Sequence, residues 1–306
     1  RSNHFRSAGL DGKKEGGGSM TDASKKVGGT KKIVIDIVLF ALVVVLFVIF
    51  MIPFLMTILN SFKVKMDILR DPLSLSPSKG FSFSNYVEAF QKMNYLTAFF
   101  NSFIVTGLST FFVTVLSAMC AYYYVRHDNK FSRICSSLMS ASMIIPFQAI
   151  MIPLVYIYGA RLGLLNHRGT LIFMHTGFAM SMSVFIFQGF IKSNVPLALE
   201  EAAKIDGCGR YRTFFQIVFP LLGPTTATLI ILNVLAFWND YLLPSLVLGV
   251  KAIKTLPLST YEFYGTFSAD YGLIMAALIL TVLPILVIYL VLQKAIISGV
   301  VAGAVK

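Results

Sequence analysis

Long apolar stretches run through most of the chain, and short polar segments separate them. Six stretches contain no Asp, Glu, Lys or Arg, namely 37–62, 93–125, 134–160, 169–191, 213–239 and 271–293. Each is long enough for the roughly 20 residues that an α-helix needs to cross a hydrocarbon core of about 30 Å. Only helices and closed barrels satisfy all their backbone groups in lipid. The pattern therefore predicts an all-α membrane protein with six transmembrane helices.

The apolar positions also give approximate bounds for these helices. We expect them near 37–56, 97–125, 134–158, 170–191, 221–247 and 272–293. Pro146 and Pro153 fall within the third helix, where each removes a backbone donor and favours a kink. An even number of spans places both termini on the same side of the membrane.

The distribution of charge orients the helices. Most of the 26 Lys and Arg residues fall in cytoplasmic segments if both termini are cytoplasmic, as the positive-inside rule requires. The first outer loop, about 63–92, weakens this bias because it carries several basic residues of its own. Both termini are therefore predicted to be cytoplasmic.

The composition excludes a soluble protein. Only 13% of the 306 residues are charged and 56% are hydrophobic, whereas a soluble domain averages about 25% charged residues. The formal net charge of +12 would suit a nucleic-acid partner in a soluble chain. In a membrane protein, basic residues belong in cytoplasmic loops, so we expect contact with membrane lipid and no nucleic-acid partner.

The chain divides by composition into four parts. Residues 1–19 lack a starting Met and end in Gly-Gly-Gly-Ser before Met20, so we interpret them as an expression tag and linker. Residues 20–32 are expected to form a basic cytoplasmic tail. Residues 33–297 form the predicted six-helix transmembrane domain, and 298–306 a cytoplasmic C-terminal tail.

A polar segment at 193–220 interrupts the apolar pattern between the fourth and fifth helices. Asn194 is a suitable N-cap and Pro196 suits a first turn, so a short helix is predicted to begin here. Asp206-Gly207 is a helix stop, because glycine tolerates the left-handed conformation that closes a last turn. The segment is therefore predicted to form two short helices around this glycine.

The first of these short helices combines charge with small side chains. Glu200 and Glu201 lie near its N-terminus, where they interact favourably with the helix dipole. Ala202 and Ala203 keep one face small, so another surface can approach closely. From the residues alone two interpretations are open, a rigid docking element for a soluble partner or an ordinary charged loop with well-capped ends.

The same segment resembles the EAA loop of the permease subunits of binding-protein-dependent ABC importers. The pattern is Glu-Ala-Ala, two residues and Asp-Gly, followed by an apolar residue and a proline. The matching positions and their charged neighbours are Glu200, Glu201, Ala202, Ala203, Asp206, Gly207, Arg210, Arg212, Ile217 and Pro220. The resemblance implies that these residues couple the membrane domain to a cytoplasmic ATPase, with the Glu-Ala-Ala motif seated in a cleft of that subunit.

Two further stretches narrow the resemblance to the sugar-uptake branch of this family. Residues 237–244 are similar to its Trp-Asn-acidic-Tyr motif, and residues 297–306 are similar to its C-terminal ending. Over about 32–306 the chain resembles the smaller, six-helix permease of the maltose/raffinose type. This implies the type I ABC importer permease fold in the bacterial plasma (inner) membrane.

The resemblance also implies partners. These are a second homologous permease, two copies of a cytoplasmic ATPase and an extracellular sugar-binding protein. The implied C-terminal contacts with the ATPases are Gly303, Ala304, Val305 and Lys306. The sequence contains no G-x-x-x-x-G-K-[ST] motif, so no cofactor is expected in this chain, and ATP and Mg²⁺ belong to the partner ATPase.

Polar and aromatic residues of the fifth helix are candidates for a substrate pathway. The candidates are Trp238, Asn239, Asp240 and Tyr241. Aromatic faces beside amide and carboxylate groups suit sugars, which present apolar C–H patches as well as hydroxyls. The alternative for Asp240 is an acid at the membrane interface that only touches water. His175 is expected to bond a neighbouring helix, with a proton relay as the alternative.

Other functions fit the sequence less well. An ion-coupled secondary transporter usually carries ionisable groups near the membrane midplane, and the apolar stretches lack them before Asp240. An importer of a polyol or glycerol phosphate stays open, although a pathway for anions would need Lys or Arg. No nucleophile, paired-carboxylate or metal-ligand set occurs within one segment, so we expect neither an enzyme nor a metal site.

Overall fold

The computed structural model describes residues 21–78, 80–263 and 269–304. In chain order its helices are α1 (Thr21–Ser61), α2 (Lys65–Arg70), α3 (Ser84–Lys92), α4 (Tyr95–Arg126), α5 (Lys130–Ser142), α6 (Phe147–Val155), α7 (Arg168–Asn194), α8 (Leu197–Ile205), α9 (Arg210–Thr213), α10 (Phe219–Leu221), α11 (Gly223–Asn239), α12 (Leu242–Val247), α13 (Leu256–Ser259) and α14 (Tyr271–Ala304). Wider π-helical turns follow α6 and α9, at Tyr156–Arg161 and Phe214–Val218. Single 3₁₀ turns lie on either side of α13.

Two compact units divide the chain, with the boundary between Leu55 and Met56. The first unit contains α1 up to this boundary. From Lys32 to Leu55 its apolar side chains are exposed on every side of the helix, with Phe40 70% and Phe50 69% exposed. A helix that is apolar all round matches a lipid environment, and Lys32–Ser61 is long and apolar enough to cross a membrane.

The second unit holds the remaining candidate spans. α4, α7 and the Tyr271–Val291 part of α14 are each long and apolar enough to cross a membrane. Two further spans are bent, since α5 meets the segment Phe147–Arg161 at 99° and Arg210–Leu221 meets α11 at 78°. With each bent pair counted as one span, length and composition give six spans among the described residues. The prediction of an all-α protein with six membrane helices is confirmed in this sense.

The prediction of one continuous third helix over 134–158 is wrong. α5 ends at Ser142, and Pro146 lies at the start of α6 with an extended backbone. Proline disfavours the helical conformation of the residue before it, so the chain turns here instead of kinking slightly. Pro153 lies inside α6 and does not end it.

The fifth predicted helix, 221–247, is also interrupted. α11 ends at Asn239, the backbone of Asp240 is extended (φ −67°, ψ 127°), and α12 begins at Leu242. The Asp240 carboxylate accepts a hydrogen bond from the Leu242 amide at 3.0 Å, which competes with the helical hydrogen-bond pattern. The break fixes the position of the Asp240 side chain.

Packing of the second unit centres on α4 and α7, with α11 against α4 and α14. Small buried residues on α4, including Ser109, Ser117 and Ala118, let the neighbouring backbone approach closely, as small residues do between membrane helices. α8 lies beside the Arg126 end of α4, and Asp240 contacts α7 seven residues after its start. The helix bundle thus carries two polar features, one at Asp240 near the start of α7 and one at Glu200 beyond its end.

Candidate functional site

The end of α8 is closed by two backbone hydrogen bonds around a glycine. Gly207 has φ +77°, its amide donates to the Lys204 carbonyl at 3.1 Å, and the Cys208 amide donates to the Ala203 carbonyl at 2.9 Å. This pair of bonds is the Schellman arrangement, which favours glycine because the left-handed conformation strains other residues. The predicted helix stop at Asp206-Gly207 is confirmed.

The start of α8 differs from the prediction. Asn194 is the last residue of α7 and does not cap α8, since its Nδ2 donates to the Ser193 hydroxyl at 2.7 Å. Pro196 precedes the first helical residue, Leu197, with φ −62°. The proline disfavours a helical conformation at Val195, so α7 ends before it and α8 begins after it.

The two adjacent glutamates of α8 point in different directions. Glu201 and Ala202 are exposed, whereas Ala203 is buried and Glu200 faces the helix bundle. Residues one or two positions apart on a helix do not share a face. The short helix α8 therefore presents one side to the bundle and another to solvent. Glu201, Ala202 and Ile205 define the exposed side of α8.

Glu200 is held by side chains at the end of α4. Arg126 Nε donates to Glu200 Oε1 at 2.7 Å, and the Tyr122 hydroxyl donates to Oε2 at 2.8 Å. Arg126 Nη2 also donates to the Val195 carbonyl at 2.8 Å. The two charged side chains are only 15% and 11% exposed. This Glu200 cluster (Tyr122, Arg126, Val195 and Glu200) fixes α8 to α4.

The second half of the predicted loop forms several short pieces in place of one helix. α9, the Phe214–Val218 turn and α10 follow each other directly. Phe214 and Val218 are buried against the bundle, Ile217 is half-buried, and Pro220 lies exposed in α10. The exposed residues of α9 are Arg210, Tyr211 and Arg212, and Arg212 Nε donates to Gln216 Oε1 at 2.8 Å.

Two exposed apolar side chains on either side of Gly207 did not stand out in the sequence. Ile205 is 86% exposed and Tyr211 is 72% exposed. Both are large apolar residues inside a polar segment, and this pattern could have identified them from the sequence. Sequence reasoning also missed Tyr122 and Arg126, because they lie 78 and 74 positions away from Glu200 along the chain.

A second polar feature forms at the break between α11 and α12. Asp240 Oδ2 lies 2.9 Å from His175 Nε2, and Oδ1 accepts the amides of Leu242 at 3.0 Å and Leu243 at 3.4 Å. The His175 ring stacks on Phe237, with 4.6 Å between centroids. These five residues are named the Asp240 junction. The expectation that His175 bonds a neighbouring helix is confirmed, since Asp240 caps the end of α11.

The Asp240 junction borders a cavity of about 800 Å³. Residues from α5, α6, α7, α11 and α12 line it, and most of them are apolar. Asp240 is the acidic residue of the lining, with 25% of its side chain exposed. This volume is in the range of pockets that bind small molecules.

The other three pathway candidates lie away from this cavity. Trp238 is 1% exposed, packs between α11 and α14, and its Nε1 donates to the Thr281 carbonyl at 3.5 Å. The exposed Asn239 donates from Nδ2 to the Leu235 carbonyl at 2.9 Å. The Tyr241 ring lies 5.9 Å from the Tyr261 ring. A substrate contact for these three residues stays a prediction.

The predicted C-terminal contacts fall at the end of α14. Gly303 and Ala304 belong to its last turn, so the helix continues into the expected tail. Val305 and Lys306 lie outside the described residues. Within the described part of the chain, no group of three or more His, Cys, Asp or Glu residues could hold a metal ion.

Comparison with known proteins identifies the family. A family model of binding-protein-dependent transport system inner membrane components matches residues 113–301, which include the Glu200 cluster and the Asp240 junction. The chain belongs to this family. It is a permease subunit of an ABC importer, not an enzyme, and its inner-membrane location is confirmed. The energy source of an ABC importer is ATP, used by a separate ATPase subunit.

Two relatives align with the permease over most of their length. It is 39% identical over 263 residues to the probable starch degradation products transport system permease protein AmyC of Thermoanaerobacterium thermosulfurigenes, covering 86% of this chain and 94% of AmyC. It is 36% identical over 255 residues to the melibiose/raffinose/stachyose import permease protein MelC of Bacillus subtilis strain 168, covering 83% and 91%. The resemblance to permeases of the maltose/raffinose type is confirmed.

Two solved structures share the fold of the permease. A crystal structure of a bacterial ABC transporter involved in the import of the acidic polysaccharide alginate aligns with a TM-score of 0.69, covering 91% of this chain and 99% of that chain at 18% identity. The bacterial alginate ABC transporter in complex with an alginate pentasaccharide-bound periplasmic protein aligns with a TM-score of 0.60 at 17% identity. At this identity the likeness concerns the fold, and it confirms the ABC importer permease fold.

Proposed function

We propose that this permease is half of the translocation pathway of an ATP-driven importer for a sugar or oligosaccharide. The names of AmyC and MelC support a carbohydrate, because both refer to sugars or their polymers. The observation that carries the coupling role is α8, a capped helix that the Glu200 cluster fixes to α4 while its other side stays exposed. A second homologous permease would complete the pathway.

The exposed side of α8 would dock into a cleft of a cytoplasmic ATPase, with two ATPase copies for two permeases. Ala202 allows close approach, Ile205 offers apolar surface, and Glu201 offers a charge. Ile205, which is 86% exposed, and Tyr211, which is 72% exposed, would remove apolar surface from water in such a contact. Arg210 and Arg212, beyond Gly207, are exposed as well and would add positive charge to the contact.

The remaining partners follow from this arrangement. ATP and Mg²⁺ would bind in the ATPases, and Gly303 to Lys306 would provide a second contact with them. An extracellular sugar-binding protein would deliver the solute to the membrane domain. ATPase closure would be transmitted as a displacement of α8, which a rigid helix carries better than a mobile loop.

The test is the effect of Glu201→Lys on the complex purified from its native membrane. We expect loss of co-purifying ATPase, or loss of sugar-stimulated ATP hydrolysis, with insertion and monodispersity of the permease unchanged. The matched control is Glu88→Lys on α3, whose exposed side chain forms an ion pair with Lys92 at 2.6 Å. Full sugar-stimulated hydrolysis in Glu201→Lys, or an equal loss in both variants, would contradict the docking role.

A further inference from the structure

The cavity beside Asp240 lies where two membrane segments break. Ser142 and Phe147 bound the break between α5 and α6, and Asp240 and Leu242 bound the break between α11 and α12. Irregular backbone at membrane depth occurs where it is buried in protein or lines a cavity. Broken helices free polar groups for a ligand inside a membrane protein. The two breaks and the cavity therefore belong to one feature.

One end of the cavity offers a partly free carboxylate. An ionised carboxylate has about four acceptor positions. Asp240 uses three of them, for His175 Nε2 and for the amides of Leu242 and Leu243. A quarter of its side chain is exposed. The geometry leaves one acceptor position for a ligand hydroxyl, and the three existing bonds hold the carboxylate in place for it.

A second polar pair lies further along α7. The Ser142 hydroxyl donates to the Met139 carbonyl at 2.7 Å, so Ser181 is the donor in the 2.8 Å contact between the two serine hydroxyls. Ser181 Oγ then keeps an acceptor position. Ser181 follows His175 by six residues on α7, which places the backbones of these two residues about 9 Å apart along the helix axis.

The walls between these polar points are aromatic and uncharged. Phe147, Phe173, Phe178 and Phe237 contribute rings to the lining. Within the described part of the chain, the lining contains neither Lys nor Arg, and its acid would repel an anion. Aromatic faces stack on apolar C–H surfaces, while separated acceptors take hydroxyl donors.

We propose that this cavity is a binding site for a neutral oligosaccharide of at least two rings. Asp240 accepts a hydroxyl of one ring, Ser181 accepts a hydroxyl of another, and the phenylalanine rings contact the sugar faces between them. The cavity volume of about 800 Å³ lies in the upper part of the range for ligand pockets, so the cavity has room for two sugar rings. The inference rests on the proposed import function, and it assigns a solute contact to this subunit itself.

The first experiment fills the cavity without disturbing its polar groups. Gly177 lines the cavity, and a Cβ built there meets no atom within 4 Å, so Gly177→Phe places a ring in the open space. Gly189→Phe is the matched control, because Gly189 is on the same helix, has the same free space and lies outside the lining. We measure uptake of labelled maltotriose and raffinose by the complete transporter in its native membrane.

We expect Gly177→Phe to lower uptake of the transported trisaccharide at least about tenfold, and Gly189→Phe to change it less than about twofold. Equal changes in both variants, or none in Gly177→Phe, would overturn the binding site. Absence of uptake of any monosaccharide or oligosaccharide by the unmodified transporter would overturn the proposed function instead, so the two failures are distinguishable.

A second experiment detects occupancy without measuring transport. Ser181→Cys and, as control, Gly189→Cys are made after replacing Cys120, Cys135 and Cys208 with serine. The purified complex is treated with a charged thiol reagent, with or without the sugar-loaded binding protein. We expect sugar to slow modification of the Ser181→Cys variant at least about fivefold and to leave the Gly189→Cys variant unchanged. An unchanged rate at position 181, or equal slowing at both positions, contradicts occupancy of the cavity by sugar.

Discussion

The Glu200 cluster and the Asp240 junction both use a carboxylate to attach a short helix to a long membrane helix, but they do so differently. Both oxygens of Glu200 are bonded by side chains of α4, and the end of α8 is closed separately at Gly207. One oxygen of Asp240 bonds the first turn of α12 itself, and only the other reaches α7. Loss of Glu200 therefore weakens the attachment of an intact helix, whereas loss of Asp240 disturbs the helix start as well.

This difference fits two mechanical roles. α8 is attached to α4 at one charged point and is internally complete, so it can transmit a displacement as a rigid body. Asp240 belongs to the wall of a cavity, and its bonds set the shape of that wall. We infer that the Glu200 cluster governs coupling and the Asp240 junction governs solute contact. Variants that separate these two effects test the comparison.

The largest effect is expected from charge reversal in the Glu200 cluster. Glu200→Lys places two positive charges together at a site where each partner is less than a fifth exposed. Breaking a buried ion pair costs about 3 kcal/mol or more. We expect loss of sugar-stimulated ATP hydrolysis and a lower thermal midpoint of the detergent-purified complex.

The rescue variant distinguishes pairing from general damage. Arg126→Glu combined with Glu200→Lys restores opposite charges across the same contact. We expect the double variant to recover part of the hydrolysis that each single variant loses, because only a direct interaction gives such non-additivity. Additive losses in the double variant would show that the two residues act independently.

A smaller effect is expected at the Asp240 junction. Asp240→Ala removes a bond to the first turn of α12, worth about 1 kcal/mol, and leaves the buried His175 Nε2 without its partner, which adds about 1–2 kcal/mol. We expect lower sugar uptake with ATPase subunits still bound. Uptake and co-purification are measured on the same membrane preparation.

Asp270→Ala is the matched control for this variant. Asp270 Oδ1 accepts the Leu273 amide at 3.3 Å at the start of α14, so the substitution removes a comparable cap at a site that does not line the cavity. We expect a stability loss of about 1 kcal/mol and normal uptake kinetics. Equal uptake defects in the two variants would assign the Asp240 effect to helix capping alone.

The apolar pattern of the sequence predicted the number of spans but not their shape. Lipid requires about 20 apolar residues per crossing, and this requirement is visible in any single stretch. The breaks at Pro146 and Asp240 depend on competition between local backbone conformations and side-chain hydrogen bonds, which hydropathy does not report. The kink predicted at Pro146 is therefore a sharp bend of 99° between α5 and the segment that follows it.

The sequence predicted those features of the candidate site that depend on adjacent residues. Asp206-Gly207 closes α8 because the left-handed position needs glycine, and this follows from adjacent residues alone. The direction of Glu200 depends on Arg126, 74 residues earlier, and on the packing that brings them together. Asp240 likewise meets His175 across 65 positions. The spacing of residues along the chain does not reveal long-range polar contacts of this kind. The sequence therefore could not show that Glu200 faces the bundle while Glu201 is exposed.

The smallest effect concerns one hydrogen bond of the Glu200 cluster. Tyr122→Phe removes the hydroxyl that donates to Glu200 Oε2 at 2.8 Å and leaves the Arg126 ion pair in place. A hydrogen bond to a charged group contributes about 1.5 kcal/mol. Tyr124→Phe is the control two residues away, because its hydroxyl contacts only the weakly accepting Met139 sulfur at 3.7 Å. We expect a modest fall in the ratio of sugar-stimulated to basal ATP hydrolysis for Tyr122→Phe and none for Tyr124→Phe. Since Arg126 alone would still hold α8, an effect as large as that of Glu200→Lys would mean that the hydroxyl, and not the charge, fixes α8 to α4.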